Sequence, residues 1–454
     1  MSYSGTHIQS IPPEILSRIF LECLSGNCFP PPAKSEAPLL LGRVCSHWRS
    51  IVLSTQELWT SLGLGARYPA GFDLKNDAKS VEQWRIRAGP SSRLSYSLSY
   101  PHRDSGSEVG DHESWTHLMN AIIRQHQLWR RIQVVIPPSI AEQILSVISN
   151  QRAPMLEYLN INTVNIDNPL DINLPAMPRL QKLVLNMDQT ALQFAACGSQ
   201  SLREFIIHST GPVLSLDVCW LLITQSPSLE VFRAHCSTFT LYHAEIHRHT
   251  RLTYLHLQAQ FDPGPFFDKI EAPKLNFMKL QYTRYMVDYY ECGWPHLTSF
   301  LNRSKCQLAH LHLGVGEMSQ VDIVNCFHAT PGLKSLCVDI WPHMREATIN
   351  TLKSHTLNSG GDTLCPELES LCFFTLRCSL KALEDMIVSR CTNVATKLRK
   401  VSLYDYGSAP YEQLLVAPRI VRCIEEGLQL IIGPSDSYKG QYRSDDPLTE
   451  GWTE

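Results

Sequence analysis

The chain has no CxxC pair among its fifteen cysteines, no apolar run long enough to span a bilayer, and no strong charge of either sign. Each absence excludes a class. Without CxxC spacing there is no zinc-finger or disulfide framework. Cysteines scattered beside apolar residues, as at Cys236, Cys337 and Cys372, instead read as reduced, buried thiols of a cytoplasmic and/or nuclear protein. A formal net charge of −3 gives no electrostatic basis for binding nucleic acid or an anionic membrane. The first residues lack the basic, apolar and small-residue series of a signal peptide. Also missing are a phosphate loop, GxSxG, HExxH and a dinucleotide fingerprint, so the expectation is a non-catalytic protein without a cofactor. Two His-x-His pairs, His247/His249 and His310/His312, read as exposed polar pairs rather than metal ligands.

What is there is ordinary globular material: 454 residues, 44% hydrophobic and 18% charged, enough for a large core. The rest is organised around its start. In Ser10–Leu24, Ser10 offers an N-cap, Pro12 and Pro13 suit the first helical positions, and Glu14 lies in the positive first turn. Ile15, Leu16, Ile19, Phe20, Cys23 and Leu24 form an apolar stripe at helical spacing. After a proline-rich interruption, Leu40, Leu41, Val44, Trp48, Ile51 and Val52 predict a second amphipathic helix. Ser54-Thr55-Gln56-Glu57 matches a capping box and predicts a third, short one carrying Leu58 and Trp59. Three short helices hide only a small core, so this much apolar surface is covered either by a partner or, where the helices cap a larger domain, by the rest of the chain.

The run Ile11-Pro12-Pro13-Glu14-Ile15-Leu16, then Ile19-Phe20, Val44-Cys45-x-x-Trp48-Arg49 and Leu58-Trp59, resembles the F-box. In that family the module docks substrate receptors on the Skp-type adaptor of cullin–RING ubiquitin ligases. Two departures are visible: Ile11 stands where leucine is usual, and the segment from Ser25 to Ala37 lengthens the first link, a loop expected to bulge into solvent. The resemblance implies Pro12, Pro13, Leu16, Ile19, Phe20, Val44, Trp48 and Trp59 as adaptor-binding residues.

Beyond the third helix a unit of the form apolar-x-x-apolar-x-apolar recurs every 22 to 35 residues, from Leu156 (with Leu159 and Ile161) to Leu398 (with Val401 and Leu403). Several units open just after a proline: Pro154, Pro178, Pro227, Pro273, Pro331 and Pro366. Series of this kind resemble leucine-rich repeats, in which each unit gives a strand and a returning helix or turn. The expected fold class is therefore α/β, a three-helix F-box followed by an irregular leucine-rich-repeat solenoid, or horseshoe. The expected organisation is an F-box at 8–62, a linker with atypical first repeats at 63–128 and the solenoid at 129–405. A C-terminal capping helix at 406–433 and a polar, flexible tail at 434–454 complete it.

Residues between the apolar strand positions would face the concave side. Arg233, His235, Tyr254, His256, Lys279, His310 and His312 fall there, a basic and aromatic set that reads either as a solvated strand face or as a patch for an acidic or phosphorylated partner protein. By resemblance the function is that of a substrate-recognition subunit of an SCF-type (Skp–cullin–F-box) E3 ubiquitin ligase. Its partners would be the adaptor, through it a cullin, and an unknown substrate protein. An F-box scaffold, or a stoichiometric protein-binding repeat protein without ligase output, is the alternative.

Overall fold

The structure, a computed structural model, describes residues 11–24, 29–65, 72–100, 112–151, 153–163, 170–175, 177–186, 190–194, 200–208, 214–238, 245–282, 293–316, 318–339, 344–354, 363–374, 376–393, 398–405 and 411–434. Ser10 as an N-cap, most of the polar stretch 102–113 and the tail beyond 434 lie outside them. The chain forms two compact units, Met1–Val213 and Leu214–Glu454, each of mixed α/β structure built on parallel strands.

The first unit runs α1 (Pro13–Glu22), α2 (Ser46–Ser54), β1 (Ser61–Leu64), α3 (Leu74–Ala88), β2 (Leu94–Ser99), α4 (His112–Ile123) and β3 (Trp129–Val135). It continues with α5 (Pro138–Gln151), β4 (Tyr158–Asn162), β5 (Leu170–Leu174), β6 (Lys182–Asn186), β7 (Thr190–Phe194) and β8 (Glu204–His208). β1, β2, β3, β4, β6 and β8 pair in that order, all parallel. β5 and β7 make a separate parallel pair.

The second unit runs β9 (Leu214–Ser215), α6 (Leu216–Gln225), β10 (Val231–Thr238), β11 (His247–Arg248), β12 (Tyr254–Ala259), α7 (Gly264–Lys269), β13 (Ile270–Glu271), β14 (Phe277–Tyr282) and α8 (His296–Ser304). Then come β15 (His310–Val315), α9 (Gln320–Ala329), β16 (Ser335–Val338), α10 (Glu346–Thr351), β17 (Ser370–Phe374), α11 (Leu380–Thr392), β18 (Lys400–Asp405), α12 (Pro418–Glu425) and β19 (Gln429–Pro434). β10, β12, β14, β15, β16, β17, β18 and β19 form one parallel array. The helices from α7 to α12 pack each against the next.

The apolar period is what sets this register. Leu255, Met278, Leu311, Leu336, Leu371 and Val401 are successive partners across the second array, as are Leu257, Leu280, Leu313, Val338, Phe373 and Leu403. None of the twelve is more than 2% exposed. A slip of one residue on any strand would turn both rows out of the core, so each strand is locked by its neighbours. Full burial of each such side chain contributes about 1.5–3 kcal/mol.

The recurrent prolines have a local cause. In Ala153-Pro154-Met155-Leu156 the Leu156 amide donates to the Ala153 carbonyl at 3.1 Å. The same closure, with proline at the second position, joins Leu180 to Met177, Leu229 to Ser226, Leu275 to Ala272, Leu333 to Thr330 and Leu368 to Cys365. Proline presets the backbone of a β-turn there and cannot prolong the preceding helix. The turn then delivers the first leucine of each unit into the core. Side-chain caps start the returns: Ser215 accepts from the Val218 amide, Ser379 from Ala382, and Ser319 forms a full capping box with Asp322.

Four expectations about local structure are corrected. The second helix is broken: Leu41–Arg43 is a 3₁₀ turn, and α2 begins after Cys45, whose Sγ accepts from the Trp48 amide. The Ser54–Glu57 capping box does not form, because Ser54 is the last residue of α2 and its hydroxyl turns back to the Ile51 carbonyl. The third helix is a 3₁₀ turn, Gln56–Trp59, with Thr55 at its N-cap. At the far end the capping helix divides into a 3₁₀ helix, Tyr411–Val416, and α12, and Leu430, Ile431 and Ile432 lie in strand β19 beyond Gly427, whose φ of +108° lets the chain leave the helix.

Part of the proline-rich link is also tied down rather than bulging. The Pro30 carbonyl accepts from the Gly63 amide at 3.0 Å, which covers the edge of β1. A Cβ on Gly63 would stand 2.6 Å from the Phe29 carbonyl oxygen, so glycine is required for that approach.

Candidate functional site

Two surfaces answer to the sequence-derived residues, one in each unit. The first is the helical head formed by α1, the 3₁₀ turns and α2. Consecutive residues on a helix point about 100° apart, so a stripe containing Ile15-Leu16 and Ile19-Phe20 spans two rows. Leu16 and Phe20 form the inward row, at 1% and 0% exposure, and the Phe20 ring meets Trp48 with centroids 4.8 Å apart. Trp59 is also sealed: its indole donates to the Val52 carbonyl at 2.9 Å and its ring meets Trp84 edge-on at 4.9 Å. Leu16, Phe20 and Trp59 are therefore core residues of the first unit rather than contact residues, and Trp48 is half-buried.

The outward row is different. Ile15 and Ile19 are 47% and 44% exposed, Val44 is 58% exposed, and Leu40 and Leu53 stand out from the same head. Pro12 and Pro13 are exposed beside them. Of the eight sequence-derived contact residues, Pro12, Pro13, Ile19 and Val44 are thus available to a partner. Ile15, Leu40 and Leu53 join them as exposed apolar side chains that the motif alone did not single out as contacts.

The second surface is the face of β10, β12, β14 and β15 opposite the apolar rows. The strand register brings all seven sequence-derived residues onto it. Arg233, His256, Lys279 and His312 are successive partners in one row, and Tyr254 and His310 lie in the row before it. His235 stands in the row after. In the outer row Tyr254 stacks on Phe277 at 4.4 Å, and Phe277 in turn meets His310 at 5.9 Å.

This face is less open than expected. His235, Tyr254, His256, Lys279 and His312 are each below 10% exposed, Arg233 is half-buried, and His310 is exposed. At inter-strand spacing of about 4.8 Å, long side chains in one row cover one another. The result is a packed polar ladder with His310 and Arg233 at its accessible margin. Next to His312, Asp339 is 3.6 Å from the ring and accepts a 2.9 Å hydrogen bond from Gln281. Gly314 lies between them; a Cβ there would come within 3.3–3.4 Å of both side chains.

The His247/His249 pair proves to be structural at His249, which is buried at 2% exposure. Its Nε2 lies 3.0 Å from the Ser226 carbonyl, and its Nδ1 receives the Leu252 amide at 3.1 Å. The carbonyl needs a donor and the amide needs an acceptor, so the ring is neutral with its proton on Nε2. Burial lowers the pKa of His249 accordingly, and burial, with His249 beside it, lowers that of His247. The unfolded chain takes up protons near pH 6.5, while the folded chain resists until a lower pH. Stability from this contact is therefore complete above about pH 6.5 and is lost as pH falls toward the folded-state value. Denaturation midpoints of the intact chain should drop from about pH 7 to about pH 5, and His249→Gln should flatten that slope. Equal slopes for the two proteins would rule the assignment out.

Among the described residues no group of three or more histidine, cysteine, aspartate or glutamate side chains is placed to hold a metal ion. Among them, too, no helix is long and apolar enough to cross a membrane. No protein-family model matches the chain, and no curated protein matches it in sequence.

Proposed function

We propose that this chain is a substrate-recognition subunit of an SCF-type E3 ubiquitin ligase, holding a Skp-type adaptor through its N-terminal head and a target protein through its repeat region. The observation that carries the reading is the set of exposed apolar side chains on the head, Ile15, Ile19, Leu40, Val44 and Leu53, within the segment whose order of residues resembles the F-box. Such side chains on a small helical body favour an interface with another helical protein. An interface of ordinary size, about 800 Å² per partner, would cover them. The two parallel α/β units supply the stacked strands expected of an irregular leucine-rich-repeat solenoid. In this role the chain contributes position rather than a nucleophile: it brings a target lysine to the ubiquitin-charged enzyme.

A scaffold that binds the adaptor without delivering a target is the second reading, and turnover separates the two. Affinity capture of the intact chain should bring down the adaptor, and the Ile19→Asp/Val44→Asp form should not. A protein bound through the repeat region should then have a longer half-life in cells carrying the double variant. Unchanged half-lives for every bound partner would favour the scaffold, and capture without adaptor would end both readings.

A further inference from the structure

The polar ladder of the second unit continues past His312 into a pair of cysteines. His312 on β15, Cys337 on β16 and Cys372 on β17 are direct register partners, so the three side chains project side by side from one face. Both cysteines are half-buried, not sealed in the apolar core, since each follows the core leucine of its strand in a repeated Ser-Leu-Cys sequence (Ser335-Leu336-Cys337 and Ser370-Leu371-Cys372). Cys337 stands between His312 on one strand and Cys372 on the next. Asp339 stands 3.6 Å from the His312 ring and is itself held by Gln281. The groups facing this thiol from its neighbours are thus His312 and, one strand further, Lys279, together with Cys372 and Asp339.

Two other cysteine pairs give a contrast. Cys219 and Cys236 are 3.2 Å apart, yet both are buried, and burial together with the Cys236 hydrogen bond pushes the Cys219 thiol well up. Burial, with Cys423 beside it, pushes Cys391 up to about 12, and burial raises Cys423. At Cys337 burial also acts upward, but the hydrogen bond from Cys372 and the charge and hydrogen bond of His312 outweigh it and bring the thiol down to about 6. His312 moves the opposite way. Burial and Lys279 disfavour its charge, but the Cys337 thiolate and the Asp339 carboxylate raise its pKa. Every other described cysteine with a resolved shift is pushed up. A thiolate beside an imidazolium is the reactive form of cysteine, whereas a buried neutral thiol is inert.

We propose that Cys337 and Cys372 form an oxidant-reactive thiol pair that takes peroxide-class oxidants, with Cys337 attacking first, Cys372 closing a disulfide, and His312 and Asp339 positioning the attacking sulfur. In the first step the Cys337 thiolate attacks one peroxide oxygen; an S–O bond forms and the O–O bond breaks. The departing hydroxide takes the His312 proton and leaves as water. Cys337 is oxidised by two electrons to a sulfenic acid and the peroxide is reduced. In the second step the Cys372 sulfur attacks Cys337 Sγ, forming S–S and breaking S–O, and the hydroxyl leaves as water with the Cys372 proton. Register partners on parallel strands sit about 4.8 Å apart, within the Cα span a disulfide allows.

The test uses the intact reduced protein, peptide mapping and free glutathione as a reference thiol. Alkylation of Cys337 by iodoacetamide should level off above about pH 7, while an ordinary thiol keeps rising through about pH 8.5. Stoichiometric hydrogen peroxide should yield a dithiothreitol-reversible link between the peptides carrying Cys337 and Cys372. Cys372→Ser should instead accumulate a sulfenic acid at Cys337 that dimedone traps, and His312→Gln should move the alkylation midpoint upward. A Cys337 profile that follows glutathione, or peroxide-induced links elsewhere and none between these two, would overturn the proposal. The wild-type profile and map decide the matter by themselves if either variant fails to fold.

Discussion

Arg390→Met should lower the stability of the second unit by about 3 kcal/mol. Arg390 is fully buried on α11 and its guanidinium spans three backbone carbonyls. Nε donates to Leu352 at 2.5 Å, Nη1 to Cys365 at 3.1 Å and Nη2 to Leu364 at 2.5 Å. Burial brings its pKa down to about 10, which still leaves it charged at neutral pH. Cys365 is held in the left-handed region with φ of +45°, an unfavourable place for a side chain, at the turn that opens β17. The arginine therefore fastens the end of the α10 segment and a strained turn at once. Methionine fills much of the volume but takes a donor from the Leu352 and Leu364 carbonyls, each at about 1–3 kcal/mol, while the Cys365 carbonyl keeps the Leu368 amide; relief of the buried charge offsets part of the loss. Lysine should recover little, because one ammonium on a flexible stem cannot fan out to three carbonyls as the planar fork does. The chemical-denaturation midpoint should fall and amide exchange should quicken in peptides from 344 to 374. An unchanged midpoint would mean that the three contacts carry no net stability.

The second large effect concerns the head. Ile19→Asp with Val44→Asp should leave the fold intact, since both side chains are about half exposed and substitutions at such places usually change stability by less than about 0.5 kcal/mol. Adaptor affinity should nevertheless fall by about 100-fold or more. Interface centres lose about 2 kcal/mol or more per anchor removed, and two buried carboxylates without partners add to that. Leu16→Asp makes the opposite case. At 1% exposure Leu16 belongs to the interior, so the charge would unfold the head and would report nothing about docking.

That contrast also shows where the sequence stopped being informative. The strand rows were legible because period-2 alternation admits one inward face: once Leu255 and Leu257 are inside, His256 is on the other side. The prolines marked the turns for the same kind of local reason. A helix with apolar residues at adjacent positions offers no such choice. Ile15 and Leu16 differ by one turn angle, and only the placement of α2 and the Gln56–Trp59 turn decides that Leu16 and Phe20 go in while Ile15 and Ile19 stay out. Tryptophan at 59 signalled contact by motif position, but the surroundings of Trp84 and the Val52 carbonyl consume it.

On the polar face the sequence supplied the right strands and the wrong accessibility. Arg233, His256, Lys279 and His312 do share a row, yet neighbours at strand spacing bury most of them. The cysteines beyond border apolar residues, a pattern that suggests sealed thiols. The repeated Ser-Leu-Cys sequence held the missing cue: a cysteine directly after the core leucine must point away from the core. The apolar run in β19 is short enough to fit either period, and Gly427 just before it and the pairing with β18 make it a strand. The small pair β5 and β7 left no recognisable pattern.

The central claim is that the exposed apolar side chains of the head are left over for another protein while the interior is satisfied without them. Titration of a purified Skp-type adaptor into the intact chain, wild type and Ile19→Asp/Val44→Asp in parallel, tests it most directly. Saturable one-to-one binding by the wild type and a loss of about 100-fold in the double variant, with unchanged circular dichroism for both, is the predicted result. No binding by the folded wild type, or equal affinity in the two proteins, would contradict it.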